Sequence, residues 1–407
     1  MDSSPKTVVS GSGEHTRLPS FLLGAGSWFA AFGMHSVLFS TLLVVGLGED
    51  EVRVGAAQSA MMVPATVLVL FGGVIADRRD RRRLLMQLHG IAGVLALALA
   101  AAVSAGALSY PLLIGYALCM GSIQAFLMPA RDAMLSEAAR GDLGRAVAKL
   151  NTTQWGSQAL GALAGSLTRF AGAPAMLVAQ SMVVVLGVPA WSRLPPAPPR
   201  RDPRARLTLR DLTSGAGEVW KSPVLLPSLV LVSAVGVLFI GPFMVVFPLM
   251  VRDVYGGGVS EIALVSTAFP VDTIVGSSWV IMRGGVRRKG RAQLVSLAAG
   301  SLILLVIAQG LPFWGTLLAV SCWGMVAAIF MIAGRTLFQE RASEANRARV
   351  LSTYTLGFMG AAGLFGAPLS GLLVGRFGSE AALAVIAASM LAVVATVAVA
   401  TGIAQVD

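Results

Sequence analysis

The sequence predicts an all-α polytopic membrane protein with about twelve transmembrane helices in two six-helix repeats. Composition is the first reason, because 56% of the 407 residues are hydrophobic and only 13% are charged, whereas a soluble domain is typically about a quarter charged. The second reason is that apolar runs recur at the length of roughly 20 residues that a helix needs to cross a bilayer. The third is that nearly all Lys and Arg residues fall in alternate loops between these runs.

Charged and turn-forming breaks divide the chain into twelve predicted spans. Those of the first half lie near residues 18–47, 54–76, 84–107, 111–130, 146–169 and 173–193. Those of the second half lie near 223–250, 259–282, 292–310, 313–334, 350–375 and 379–404. The predicted organisation is a disordered cytoplasmic tail at 1–17, a six-helix half at 18–193, a Pro- and Arg-rich cytoplasmic linker at 194–222 and a second six-helix half at 223–404.

The distribution of basic residues predicts the orientation. With the amino terminus in the cytoplasm, 27 of the 31 Lys and Arg residues fall in cytoplasmic segments and 4 in outer loops. Cytoplasmic loops carry such an excess of positive charge, so we expect both termini to be cytoplasmic. Nucleic acid is not an expected partner despite the net charge of +11, because the basic residues lie in short loops and not on one folded patch. The four outer residues are Arg53, Arg169, Arg252 and Arg376.

The two halves carry matching basic residues, which indicates duplication of a six-span unit. Three arginines after the second span recur at a constant offset of 205 residues, and single basic residues after the fourth and fifth spans recur at similar offsets. The matching pairs are Arg78 and Arg283, Arg82 and Arg287, Arg83 and Arg288, Arg131 and Arg335, and Arg169 and Arg376.

The loop after the second span reads Gly73-Val-Ile-Ala-Asp77, followed by Arg-Arg-Asp-Arg-Arg-Arg up to Arg83. It resembles the signature of the major facilitator superfamily, Gly-x3-Asp-Arg/Lys-x-Gly-x-Arg/Lys-Arg/Lys. The chain has Asp80 where the family has a Gly for a turn with positive φ, a conformation that Asp tolerates better than most residues. The resemblance implies the major facilitator fold, in which two six-helix halves rock around a site near the bilayer midplane.

Two further segments resemble the branch of this superfamily that contains enterobactin-type exporters. They are Met128-Pro-Ala-Arg131, followed by Ala-Met-Leu at positions 133–135, and the segment from Arg349 to Tyr354 before a glycine-rich span. The branch resemblance implies export of a siderophore. The drug-antiporter motif of span 5 is only partly present, because Gly156-x4-Gly161-Ala-x2-Gly165 lacks the expected Pro after Gly.

The resemblance also implies a cytoplasmic gate. In the family, the acid that corresponds to Asp77 meets an arginine at the end of span 4, here Arg131. In the second half Met282 replaces the acid, so any gating carboxylate has to be Asp77. The alternative is that these charges only set topology and contact anionic headgroups. The candidate gating residues are Gly73, Asp77, Arg78, Arg82, Arg83 and Arg131.

Two titratable residues inside predicted spans are candidates for the substrate and proton pathway. Asp272 is the only carboxylate near the middle of a span, where a charge costs at least about 2.5 to 3.5 kcal/mol and should face a cavity or a partner. Its alternative role is a protonated acid bonded to a neighbouring helix. His35 lies midway along span 1 and could exchange protons near neutral pH, or it could simply be hydrogen-bonded.

Polar residues of span 5 form a second group of pathway candidates. Asn151, Gln154 and Gln158 recur at positions that share one helical face. This face could bind a polar ligand or hydrogen-bond neighbouring helices, and the sequence favours neither. Gln124 in span 4 and Tyr354 near the start of span 11 are weaker candidates for lining a cavity.

Motifs of soluble enzymes are missing from the sequence, which contains no P-loop, GxSxG or HExxH segment. We therefore expect no enzymatic activity, no cofactor and no metal site. Cys119 and Cys322 lie in apolar runs without metal-binding spacing, and we interpret them as small buried hydrophobic residues.

The sequence as a whole predicts a proton-coupled secondary active transporter in a bacterial inner membrane. We expect an efflux function, with a siderophore or a similar amphiphilic metabolite as the small-molecule substrate. Its other expected partners are protons and the lipid bilayer, and we expect a monomer. The alternatives are a multidrug efflux protein, an importer of a small nutrient, and a non-transporting membrane sensor or assembly factor.

Overall fold

The computed structural model describes residues 17–138, 143–197, 209–343 and 347–406, and within these ranges the regular structure is helical. Most of the predicted tail and the centre of the predicted linker lie outside the described residues. We call the end of the helical bundle at which the chain enters at Arg17 the basic end, and the other end the opposite end.

The described residues of the first half form nine helices, several of which combine into one span. Helix α1 continues into a π-helical turn at Leu42–Gly46, and a short break at Leu68 separates α2 from α3. The helices are α1 (Arg17–Thr41), α2 (Glu51–Val67), α3 (Val69–Arg78), α4 (Arg81–Ser104), α5 (Tyr110–Ala138), α6 (Leu143–Gly165), α7 (Thr168–Ala171), α8 (Ala173–Val185) and α9 (Gly187–Ser192).

Nine helices also lie in the part of the second half that the structure describes, and π-helical turns interrupt two of its spans, at Gly236–Ile240, Leu356–Gly360 and Ala362–Gly366. The chain ends in a short 3₁₀ turn at Gly402–Gln405. The helices are α10 (Leu209–Lys221), α11 (Leu225–Val235), α12 (Gly241–Asp253), α13 (Val259–Met282), α14 (Lys289–Ile307), α15 (Phe313–Arg341), α16 (Arg347–Thr355), α17 (Ala367–Phe377) and α18 (Ser379–Ala400).

Ten helical segments of the described chain are long and apolar enough to cross a membrane. Two more helical segments of the described chain pack into the same bundle. The first is the pair α2 and α3, which the break at Leu68 divides, and the second is α6, which carries the polar residues Asn151, Gln154 and Gln158. The predicted all-α polytopic fold is confirmed.

Several helices extend beyond the apolar runs that predicted them. Helix α5 runs to Ala138 and passes through Pro129, so Arg131 lies inside the helix and not in the loop after it. Helix α15 likewise runs to Arg341 and includes Arg335. Apolar runs mark the membrane core, whereas a helix can continue into water, so the charges do not mark the helix ends.

The last part of the predicted linker is a helix that belongs to the surface of the second half. Helix α10 packs against α16, and Val219 is fully buried in a cluster with Phe338 and Val350. The Glu218 carboxylate accepts hydrogen bonds from the backbone N–H and the hydroxyl of Ser343, both at 2.7 Å. A helix was not predicted here, because the stretch reads as a Pro- and Arg-rich connection.

The interpretation of the two cysteines as buried residues is wrong. Cys119 and Cys322 are both exposed. In a bundle whose outer surface faces lipid, an apolar residue of a span can be exposed to the bilayer, so hydrophobic surroundings in sequence do not imply burial in the protein.

A buried network fastens α4 to α1 and α9 in the first half. The indole Nε1–H of Trp191 donates to Nε2 of His89 at 3.2 Å. Since that nitrogen accepts, the ring proton is on Nδ1, which lies 2.8 Å from the carbonyl oxygen of Leu85. The Trp191 ring also packs edge-on against Phe21 of α1, with ring centroids 5.5 Å apart. His89 and Trp191 are both fully buried, so these contacts hold three helices together without access to water.

Helices α1 and α6 approach each other through glycines. A methyl group at Gly161 would overlap the carbonyl oxygen of Ala30, whereas one at Gly156 would meet no atom within 4 Å. Small residues of this kind let membrane helices pack with their backbones in contact.

We predict opposite effects for alanine at these two positions of the same helix. Gly161→Ala has to push α1 and α6 apart and should destabilise the protein by about 1 to 3 kcal/mol, the usual cost of overpacking. Gly156→Ala should be neutral or stabilise by up to about 1 kcal/mol, because Ala is the better helix former. Thermal unfolding of both purified variants measures the difference. Equal melting temperatures would show that the close approach does not matter.

Candidate functional site

The two halves contact each other along α2 and along α6. Helix α2 lies against the glycine-rich segment that links α16 to α17, where added methyl groups would clash. A methyl group at Gly360 would meet Thr66 and one at Gly363 would overlap Met62, while at Gly371 it would overlap the carbonyl oxygen of Glu51. The interface between the halves therefore depends on the absence of side chains at these glycines.

Polar contacts join the halves at the opposite end. The Arg252 guanidinium donates to the carbonyl oxygen of Glu49 at 2.8 Å and lies 3.7 Å from the carboxylate of Glu51. Arg169 donates to the hydroxyl of Ser260 at 3.0 Å. We call these contacts of Arg252 and Arg169 the latch. Deeper in the bundle, the Gln58 amide donates to the carbonyl oxygen of Met244 at 3.4 Å.

Sequence reasoning missed the latch. The sequence identifies Arg169 and Arg252 as basic residues of outer loops, and Arg169 as the counterpart of Arg376, but it indicates no contact between the halves. Their partners are distant in sequence, since Arg252 and Glu49 are 203 residues apart, and no short motif indicates such a pairing. The signal that could have found them is the presence of arginines on the side of the bilayer that otherwise has almost none.

Arg131, the predicted gating arginine, is buried near the basic end. Its Nε and Nη2 donate to a carboxylate oxygen of the neighbouring Asp132 at 2.9 and 2.6 Å. The guanidinium carbon also lies 5.1 Å from the centre of the Phe29 ring. The backbone of Asp77 is in α3, but its side chain lies outside the described residues. The predicted pair of Asp77 and Arg131 therefore stays a prediction.

The loop between α3 and α4 forms without a residue at positive φ, contrary to expectation. Asp80 has φ −63° and caps α4 by accepting a hydrogen bond from the backbone N–H of Arg83 at 3.1 Å. A side chain that caps a helix takes the place of the family's glycine turn. Arg82 donates to the carbonyl oxygen of Leu194 at 2.9 Å, and Arg78 is the last residue of α3. Gly73 has open space around its Cα.

Asp272 lies half-buried in α13, on the side that faces α15. Its Cβ would be 3.2 Å from a methyl group at Gly324, so the absence of a side chain at Gly324 makes room for the aspartate. Phe269 precedes Asp272 by three residues and therefore lies on the same face of the helix. The carboxylate is thus one turn away from the aromatic cluster around Phe269.

This aromatic cluster surrounds a small recess inside the second half, and sequence reasoning did not find it. Trp323 is its centre, with ring centroids 5.3 Å from Phe239 and 5.5 Å from Phe269. The indole N–H of Trp323 is buried without a hydrogen-bond partner among the described residues. The recess has a volume of about 20 Å³. Its other aromatic walls are Phe330 and Phe358.

Two of the π-helical turns flank the recess. Phe239 and Ile240 lie in the first and Phe358 lies in the second. The turns pack directly together, because a methyl group at Gly236 would overlap the carbonyl oxygen of Phe358. Single π-helical turns are frequent at functional sites, so the recess is bounded by irregular segments of two helices.

His35 is enclosed within the first half. Its Nε2 is 3.1 Å from the sulfur of Met61, and its ring lies 5.2 Å from Phe39 and 5.5 Å from Tyr116. Nδ1 of His35 is buried without a hydrogen-bond partner among the described residues. The contacts of His35 are therefore with α1, α2 and α5, whereas Asp272 lies in the second half.

The remaining pathway candidates are divided between the halves. Asn151 is exposed and Gln124, Gln154 and Gln158 are half-buried, all four in the first half. Tyr354 lies in the second half, its ring 5.1 Å from Phe338 and 6.5 Å from Phe358 of the recess. Tyr354 and Asp272 are thus the candidates that the structure brings near the recess. The described residues contain no cluster of three or more side chains suited to a metal ion.

Comparison with known proteins agrees with this architecture. No curated protein sequence matches the chain significantly. The solved structure of the nucleoside transporter NupG is 14% identical, with a TM-score of 0.73 over 96% of this chain and 99% of that one. A D-xylose-proton symporter is 14% identical, with a TM-score of 0.74 over 94% of this chain and 97% of that one. A POT family transporter in complex with 5-aminolevulinic acid is 12% identical, with a TM-score of 0.72 over 95% of this chain and 96% of that one. At these identities the similarity concerns the fold.

The family model described as Major Facilitator Superfamily matches residues 21–359, which is most of the chain. The match covers nearly all of the first half, the segment between the halves, and the second half as far as the π-helical turn at Leu356–Gly360. The chain belongs to the Major Facilitator Superfamily of membrane transporters.

Proposed function

We propose that this transporter is a proton-coupled exporter of an amphiphilic small molecule with an aromatic portion, such as a siderophore, in a bacterial inner membrane. Its basic end faces the cytoplasm, as the distribution of Lys and Arg indicates. The observation that carries the proposal is the aromatic recess around Trp323 with a membrane-embedded carboxylate, Asp272, one helical turn away.

The aromatic recess supports a cargo with an aromatic or apolar part. Small-molecule sites are mainly lined by apolar and aromatic side chains with a few polar groups that fix orientation. Trp323 offers such a group, since its buried N–H lacks an acceptor among the described residues. The recess has room for about one water molecule in this conformation. A cargo ring therefore requires the walls to move, and the flanking π-helical turns provide irregular backbone for that movement.

Asp272 supports proton coupling. An ionised carboxylate inside the membrane is costly, so protonation and deprotonation of Asp272 favour different surroundings. Gly324 leaves room for the side chain to reorient against α15. Binding of cargo at the recess and release of a proton from Asp272 would then be linked through the shared face of α13.

The latch supports alternating access. The glycine contacts of α2 and the contacts of Arg252 and Arg169 close the bundle at its opposite end. A bundle closed at its opposite end corresponds to a state that loads cargo from the basic end.

Export is favoured over import by the two segments that resemble enterobactin-type exporters, near Arg131 and from Arg349 to Tyr354. The nucleoside transporter and the D-xylose-proton symporter among the similar structures share only 14% identity with the chain, so they do not decide the direction of transport. A multidrug exporter would use the same recess for several aromatic compounds, so the range of cargo distinguishes it from a siderophore exporter.

We predict that Asp272→Asn abolishes transport driven by a pH gradient but preserves exchange. In proteoliposomes that contain the purified protein in the inside-out orientation, accumulation of labelled enterobactin driven by the pH gradient should be at least about tenfold lower for the variant than for the wild type. Exchange of labelled for unlabelled cargo requires no net proton movement and should remain. Glu380→Gln, which changes a carboxylate at the start of α18, is the matched control. Undiminished accumulation in the Asp272→Asn variant would contradict a coupling role.

We predict that Trp323→Ala raises the KM for an aromatic cargo. Loss of one well-packed aromatic partner costs about 1.4 kcal/mol, which is about a tenfold weaker affinity. Trp314→Ala is the matched control, because Trp314 lies on the same helix but is 70% exposed. Equal KM values in the two variants would exclude the recess from cargo binding.

We predict that Arg252→Gln opens the bundle at its opposite end. Spin labels at Ala107 and Gln309, which lie in exposed loops of the two halves at this end, report the separation in a background without Cys119 and Cys322. The population with the longer distance should increase at least about twofold, because the variant loses its links to Glu49 and Glu51. Arg376→Gln should leave the distances unchanged. An unaltered distribution of label distances in Arg252→Gln would show that Arg252 does not help to hold the two halves together.

A comparison of secreted small molecules tests the class of cargo. Cells without the gene, grown under iron limitation, should secrete less of an aromatic iron chelator than cells that carry it. A secretion profile that is unchanged and independent of iron would contradict the siderophore proposal.

A further inference from the structure

A groove opens on the outer surface of the second half at the basic end. It lies between the end of α13 and the start of α14, both of which pack against α15, and its volume is about 1150 Å³. Gly284 and Gly285 turn the chain at its rim with φ of 81° and 88°, conformations that favour glycine. The groove shares only Ser296 with the lining of the recess around Trp323.

Four arginines line this groove, which we call the arginine groove. All four are exposed, no carboxylate belongs to its lining, and none of the four forms an ion pair with a described residue. The neighbouring Lys289 instead pairs with Glu340 at 3.0 Å. The groove thus concentrates positive charge that the described protein does not neutralise. The four residues are Arg283, Arg287, Arg288 and Arg291.

Below the arginines the groove is apolar. Its walls and floor include Val295 from α14 and Val326 and Ile329 from α15. Val295 is 58% exposed, as expected for a side chain that faces lipid. Trp279 lies between the charged and apolar zones, 45% exposed and with its ring 5.2 Å from the Arg283 guanidinium carbon. Tryptophan is enriched at the depth where headgroups meet acyl chains.

The corresponding loop of the first half packs against the protein, and one of its arginines forms a hydrogen bond there. Arg82, the counterpart of Arg287, donates to the carbonyl oxygen of Leu194, and the backbone N–H of Arg81 donates to the carbonyl oxygen of Ala197. The chain leaving α9 therefore lies against that loop. The two repeats share a basic motif but differ in what their arginines contact.

We propose that the arginine groove binds an anionic phospholipid of the leaflet at the basic end. Arg287, Arg288 and Arg291 hold the phosphate, since guanidinium groups suit the geometry of phosphate oxygens. The glycerol backbone lies beside Trp279, and an acyl chain follows the apolar floor between α13 and α14. Contact with zwitterionic lipid is weaker, because a choline group adds a positive charge beside four unpaired arginines.

The test uses the purified full-length protein in nanodiscs with brominated lipids, which quench nearby tryptophans. Subtracting the signal of W279F isolates the quenching of Trp279 from that of the other six tryptophans. Brominated phosphatidylglycerol should quench Trp279 at least about threefold more than brominated phosphatidylcholine does at the same mole fraction. The difference should disappear in R287Q/R288Q, and R287K/R288K should retain part of it. R376Q, which changes an arginine at the opposite end, should behave as wild type.

Three results would overturn the proposal. Equal quenching by the two lipids would mean that the groove contacts bulk bilayer without selection. Unchanged selectivity in R287Q/R288Q would mean that the arginines do not hold the headgroup. Loss of selectivity on addition of soluble glycerol 3-phosphate at millimolar concentration would assign the groove to a free phosphate and not to a lipid.

Discussion

The bilayer imposes the constraint on which the rest of the structure depends, because it contains no water to satisfy backbone N–H and C=O groups. Each crossing of the membrane therefore has to be helical, and polar side chains inside it need a partner, a cavity or a function. The structure uses glycines for close contact between helices and reserves polar groups for a few positions. His89 and Trp191 are buried polar side chains that hydrogen-bond to each other. Asp272 is instead the carboxylate that we propose binds and releases the coupled proton, with room beside it at Gly324.

In the proposed mechanism of alternating access, contact between the two halves is firm in one state and broken in another. Glycines on the segment between α16 and α17 let α2 approach closely without interlocking side chains. The latch adds a few polar contacts near the loops, where water can replace them when the halves separate. Hydrogen bonds at a wet surface cost less to break than buried ones. This division suits a transporter, since the interface can open without leaving unpaired polar groups in the membrane core.

The sequence predicts the helices well, because the length of an apolar run is a local property. It does not predict the helix ends beyond Arg131 and Arg335, where the helices extend past the ends of their apolar runs. The turn at Asp80 was expected to require positive φ, but the aspartate caps the next helix instead. The latch and the recess depend on residues from separate helices, such as Phe239, Phe269 and Trp323, and no periodicity in one segment indicates such a meeting. Asp272 could be identified as a candidate because a carboxylate within a span is unusual in itself.

Coupling of cargo to protons is the central claim, and one measurement tests it directly. Sealed proteoliposomes with the purified protein are loaded with enterobactin and diluted into cargo-free buffer at equal pH, while a dye reports the internal pH. The account predicts that cargo leaving the vesicle drives protons inward, so that the interior acidifies at a rate proportional to cargo efflux. Efflux of cargo with no change in internal pH would contradict it.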